Sequence, residues 1–133
     1  MMWFDKSALH GLLQAHPEMV LQWALPPVLE WEKLPHAYRE AIAVAALRLK
    51  DRPEAFRDAL FSLLVTPQAA DGLRFCLHSG ILGVFIPELC ETVNLSNEDD
   101  RRHKHVWDHT LQVVMQVEAR LELRAAALFH DIG

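Results

Sequence analysis

The sequence predicts an all-α fold, a compact bundle of about seven or eight short helices, and three observations lead there. Apolar residues recur at helical spacing along almost the whole chain. No segment alternates apolar and polar side chains with β-branched enrichment between turn residues, as a strand would. Prolines and glycines fall where helices would open or close.

Taken in order, Ser7 to Ala15 carry Leu9, Leu12 and Leu13 on a helical stripe. Pro17 opens a second helix through Met19, Val20 and Trp23, since a proline at the first helical position forfeits no hydrogen bond, and Pro26 and Pro27 end it. Val28 to Leu34 reads as a short amphipathic piece closed by Pro35. His36 to Leu49 then puts Ile42, Ala45, Ala46 and Leu49 on one stripe that should be buried. Pro53 starts a helix with Phe56, Leu60, Leu63 and Leu64 as its core face, and Thr66 with Pro67 forms a cap for the next, which Gly80 stops. Ile81 to Pro87 reads as an apolar turn, Glu88 to Val93 as helix and Asn94 to Arg102 as a polar loop. His103 to Arg120 is helical again, and Leu121 to Ile132 forms a last, alanine-rich helix.

Composition bounds the function. With 133 residues, 51% apolar and 23% charged, the chain has material for one compact domain and is not disordered. Its seven Pro and five Gly are too few for a fibrous or low-complexity chain, and no apolar run nears the roughly 18 residues of a membrane span. Thirteen Lys and Arg against 18 Asp and Glu leave a net charge of −5, which excludes a whole-surface nucleic-acid footprint but not a local basic patch. Cys76 and Cys90 sit in apolar helical stretches and read as small buried hydrophobes. Without a charged then apolar leader, the expectation is a soluble, reduced, cytoplasmic protein with no membrane partner.

Chemistry concentrates near the carboxyl end, where four of the eight histidines, His103, His105, His109 and His130, are gathered. Helix packing does not ask for imidazole there. Histidine is the commonest metal ligand and titrates near neutrality, so the cluster suggests a metal site or proton transfer. In Ala125 to Gly133 an apolar helix ends in adjacent His130 and Asp131 followed by a helix-stopping glycine. Successive residues on a helix point about 100° apart, yet from its end the two can converge on an ion between their directions. An unpartnered buried carboxylate beside an apolar run is costly, and a metal would relieve that cost. His109 would be a third ligand if two antiparallel helices join near Arg120 to Glu122.

Other readings stay open. His105 and His109, four apart, could form a zinc pair, although Val106 stands where a glutamate usually follows the first histidine. The charges of Glu98, Asp99, Asp100, Arg101 and Arg102 nearly cancel and read as a solvated face, whereas Arg101, Arg102 and Lys104 would make a phosphate-facing edge. The tryptophans read as core or half-buried aromatics, with base stacking as the alternative. No nucleophile elbow surrounds Ser62, Ser79 or Ser96, and no glycine-rich phosphate loop is present.

The pair His109-Thr110 followed by Ala127-Leu128-Phe129-His130-Asp131-Ile132-Gly133 resembles the opening half of the HD superfamily of metal-dependent phosphohydrolases. Phe56 to Leu89, with Leu63-Leu64-Val65-Thr66-Pro67, Gly72-Leu73-Arg74, Ser79-Gly80-Ile81-Leu82 and Ile86-Pro87-Glu88-Leu89, resembles the neck of the bacterial tRNA nucleotidyltransferase and poly(A) polymerase family, in which a neck leads into an HD domain. His103 to Leu111 is similar to that family's linker, with His105 in place of an acidic residue.

This resemblance, which covers about residues 54 to 133, implies a neck over 54–94 and the start of an HD domain over 95–133, and leaves 1–53 as a helical region of unknown role. It also implies His109, His130 and Asp131 as ligands of a divalent ion, manganese, iron, cobalt, nickel, zinc or magnesium, with His130 and Asp131 catalytic. Two departures matter. Residues 1–53 hold no Gly-Ser motif or paired aspartates of a nucleotidyltransferase head, so nucleotide addition by this chain alone is not expected. No Asp follows Asp131, so the ion site is expected to lack its last ligand and the chain to be part of a longer protein. The leading expectation is an HD-type phosphohydrolase acting on nucleotide or RNA phosphates. The alternatives are the neck and tail of a nucleotidyltransferase protein that binds tRNA, and a helical interaction module without chemistry.

Overall fold

A computed structural model describes residues 5–96 and 106–132, and among these every regular element is helical. Nine α-helices follow in chain order: α1 (Lys6–Ala15), α2 (Met19–Gln22), α3 (His36–Arg48), α4 (Pro53–Leu64), α5 (Ala69–Ser79), α6 (Ile81–Phe85), α7 (Pro87–Ser96), α8 (Val106–Gln116) and α9 (Leu121–Phe129). Two 3-10 turns, Trp31–Lys33 and Leu49–Asp51, complete the set. The all-α expectation holds, with one or two more helices than predicted.

Local chemistry explains most boundaries. Asp5 caps α1 by accepting the N–H of Ala8 at 2.8 Å. Pro53 is the first residue of α4, as its sequence position indicates. Thr66 acts as a cap of the turn before α5: its hydroxyl donates to Leu63 O at 2.8 Å and accepts from the N–H of Gln68 at 3.2 Å. The helix proper begins later than predicted, at Ala69. Gly80, at φ +95°, closes α5 in the left-handed conformation that a side chain would disfavour.

Four expectations need correction. Val28 to Leu34 is not an amphipathic helix but an irregular stretch ending in a 3-10 turn, because the N–H of Val28 donates to Gln68 Oε1 at 3.2 Å and Glu30 is extended. Ile81 to Phe85 is a short helix rather than a turn, with Ile81 and Leu82 buried beneath it. Helix α7 runs on to Ser96, into the segment expected to be loop. Helix α2 starts at Met19, two residues after Pro17, and α8 and α9 end before Arg120 and Ile132.

A single apolar core runs from Leu9 in α1 to Leu128 in α9, so residues 5–53 share it with the later helices. Helix α1 packs on α3, which also touches α5 and α6. Phe56 of α4 stacks on Phe85 of α6, ring centroids 4.3 Å apart. Helix α8 lies against α5, α7 and α9, and α9 closes onto α4. No described helix is long and apolar enough to cross a membrane.

Candidate functional site

The site is built by the antiparallel pair α8 and α9. Helix α8 buries Trp107, Thr110, Leu111 and Val114, a stripe at helical spacing that leaves Asp108 and His109 outward. Helix α9 buries Arg124, Ala127 and Leu128, and His130, its C-cap with backbone still in the right-handed helical region, opens the turn that carries Asp131. The adjacent side chains meet there: His130 Nε2 lies 3.0 Å from Asp131 Oδ2. The His109 ring packs edgewise on His130, with centroids 5.9 Å apart and planes at 69°. The structure thus brings His109, His130 and Asp131 to one partly exposed corner.

Hydrogen bonding at His130 constrains its chemistry. Nδ1 lies 2.5 Å from Ala127 O, which can only accept, so Nδ1 carries the proton. Nε2 is then the ring nitrogen that faces the Asp131 carboxylate. Asp131 Oδ2 has a second neighbour in the buried Thr110 hydroxyl at 3.4 Å, whose nearer acceptor is Val106 O at 3.0 Å.

Two imidazoles and a carboxylate have the donor chemistry of borderline divalent ions. The geometry gives less: among the described residues no group of three His, Cys, Asp or Glu side chains is gathered to hold a metal ion. His130 and Asp131 form a two-donor pair, and His109 meets His130 ring to ring rather than converging with it on one point. His103, His105, Arg101, Arg102 and Lys104 lie outside the described residues, and with them both the zinc-pair alternative and the basic edge.

Arg124, in the first half of α9, is buried at the far end of the α8–α9 pair from this corner, and the sequence reading assigned it nothing. It is 5% exposed; Nη1 donates to Leu64 O at 3.0 Å and Thr66 O at 2.9 Å, and Nε donates to Val117 O at 3.4 Å. The available clue was a lone arginine inside the apolar run Leu121 to Phe129. Of the cysteines, Cys76 is buried and Cys90 half-buried, both free, as expected. Trp107 is a core residue, and Trp23 and Trp31 pack partly buried against the core. A cavity of about 300 Å³ between residues 27–32 and α5 is lined among others by Trp31, Glu32, Asp71, Arg74 and Phe75, and contains none of the proposed metal ligands His109, His130 and Asp131.

No protein-family model and no solved structure matches the chain. Known proteins do. A CC-adding tRNA nucleotidyltransferase of Thermus thermophilus is 41% identical in an alignment 111 positions long, which covers 75% of this chain and 25% of that protein. An A-adding tRNA nucleotidyltransferase of Deinococcus radiodurans is 35% identical in an alignment 85 positions long, which covers 60% of this chain and 19% of that protein. The chain is therefore related to part of the tRNA nucleotidyltransferases, and spans a quarter or less of the length of these curated relatives.

Proposed function

We propose that this chain is the neck and adjoining tail of a tRNA nucleotidyltransferase-type protein, and that it binds tRNA rather than adding nucleotides by itself. The observation that carries this is the 41% identity to a CC-adding tRNA nucleotidyltransferase across three quarters of the chain. The all-helical architecture supports the same reading, because among the described residues there is no sheet on which a catalytic head could hold paired aspartates. With a net charge of −5, contact with RNA phosphates must come from a local cluster, and Arg101, Arg102 and Lys104 are the residues we assign to it. Binding of deacylated tRNA that weakens as salt rises, and weakens further in R101A/R102A/K104A, is the expected result. Equal affinity of the triple variant would remove the assignment of these three.

A second reading has a specific observation behind it. The juxtaposition of His109, His130 and Asp131 supports an HD-type phosphohydrolase centre acting on nucleotide or RNA phosphates. When bound, a divalent ion supplies Lewis acidity toward water and phosphate. His130, its ring fixed by Ala127 O, and Asp131 are the side chains that would hold it, with His109 joining only after its ring turns toward them. Stoichiometric Mn²⁺ or Co²⁺ binding by the wild type, lost in H130A, is expected from this reading. Absence of binding by the wild type would leave tRNA binding as the whole function.

A further inference from the structure

We infer that Arg124 is the positioning residue of the α8–α9 corner: its guanidinium fixes where α9 ends, and so fixes the meeting of His130 with His109. The inference rests on the same juxtaposition as the second reading above, but needs no metal. An arginine only 5% exposed is usually paired with a carboxylate, and among the described residues none bonds to Arg124. Its partners are main-chain carbonyls from two different places. Leu64 O and Thr66 O belong to the carboxyl end of α4 and the turn after it, where helix carbonyls lack intrahelical donors and carry partial negative charge. Val117 O belongs to the turn that leaves α8. Met115 Sδ of α8 lies 4.0 Å from Nη1.

One planar fork thus ties α9 to the end of α8 and to the end of α4. Those ties hold different degrees of freedom. The bond to Val117 O sets how far α9 is drawn along α8, and the pair of bonds to Leu64 O and Thr66 O sets how closely α9 lies on α4. Arg124 is six residues before His130, and α9 runs between them without a break to Phe129. A rigid helix transmits a shift at one end to the other, so the 5.9 Å separation of the histidine rings depends on this fork. Lysine keeps the charge but has no fork with which to reach both turns together. Methionine keeps the length of the stem and removes every donor.

The test is nuclear Overhauser contact between the ring protons of His109 and His130 in the metal-free protein, recorded for wild type, R124K, R124M and L9A. Leu9 is 1% exposed on α1, which packs on α3, so L9A reports what general destabilisation does to the corner. We expect the cross-peak in wild type and in L9A, its intensity at least halved in R124K, and its loss in R124M. If R124M does not fold, R124K against L9A decides. Full intensity in R124K, or equal loss in L9A, overturns the role of Arg124 while leaving the site in place. A wild type without the cross-peak overturns the juxtaposition itself, and the metal reading with it.

Discussion

At His130 the two ring nitrogens have different partners. The Nδ1 proton is committed to Ala127 O, which leaves Nε2 turned toward the Asp131 carboxylate, with Thr110 behind it. On the proposed metal reading, D131A, like H130A, is expected to lower Co²⁺ affinity at least tenfold, read by titration calorimetry, with little change in helical content because both side chains are partly exposed. Cys76 makes a second prediction at this scale. Burial alone pushes its thiol up from 9.0 to about 12, so the folded state holds the proton that the unfolded state releases. The sign follows: its contribution is intact below pH 9.0 and is lost as pH rises toward about 12, so denaturation midpoints should fall over that range. At neutral pH a thiol reagent should label half-buried Cys90 and reach Cys76 only on unfolding. His130 and Asp131 were legible in sequence because an adjacent His and Asp at the end of an apolar helix is a chemical anomaly. Ala127 O was not, since a main-chain acceptor has no letter of its own, and Arg124 was not, since its partners are main-chain carbonyls about 60 residues away and at the turn after α8.

Helices here were legible wherever a backbone restriction announced them. Pro53 marks the start of α4, and Gly80 the end of α5, because each residue suits only a narrow set of conformations. At Gly80, φ of +95° with no neighbour within 4 Å of an added Cβ makes the cost of G80A one of backbone strain alone, about 1–2 kcal/mol by urea denaturation. Gly72 fails for the opposite reason. It lies in α5 with ordinary dihedrals, yet a Cβ there would collide with the main-chain carbonyl of Ala24 and the side chain of Leu63. G72A should therefore cost at least as much, about 1–3 kcal/mol, and the carbonyl leaves it less room to relax than a side chain alone would. Nothing local in the sequence distinguishes Gly72 from a tolerated helical glycine, because its reason is a contact across about 48 residues of chain. The same limit explains α6, where an apolar run was too short for its period to separate helix from turn.

The molecule as a whole has one core, and that core decides how its parts can fail. Leu9, Ile42, Leu64, Leu82 and Leu128 lie in five different helices and all belong to the same cluster. Residues 5–53 are thus a structural part of the same body as the helices that follow them. A Leu82→Ala substitution in the middle of the cluster should cost about 2–5 kcal/mol and should move circular dichroism and tryptophan fluorescence together, as one cooperative transition. The class of fold was readable from periodicity, and the relation to tRNA nucleotidyltransferases from the motifs between Phe56 and Leu89. The sharing of one core was not, because it depends on long-range packing that periodicity does not encode. The most direct measurement of the central claim is the affinity of this chain for deacylated tRNA across a salt series. The account predicts binding at 50 mM salt whose logarithm falls with that of salt at a slope of about −2 to −3, set by three phosphate-facing cations. No binding at 50 mM, or binding indifferent to salt, would contradict it.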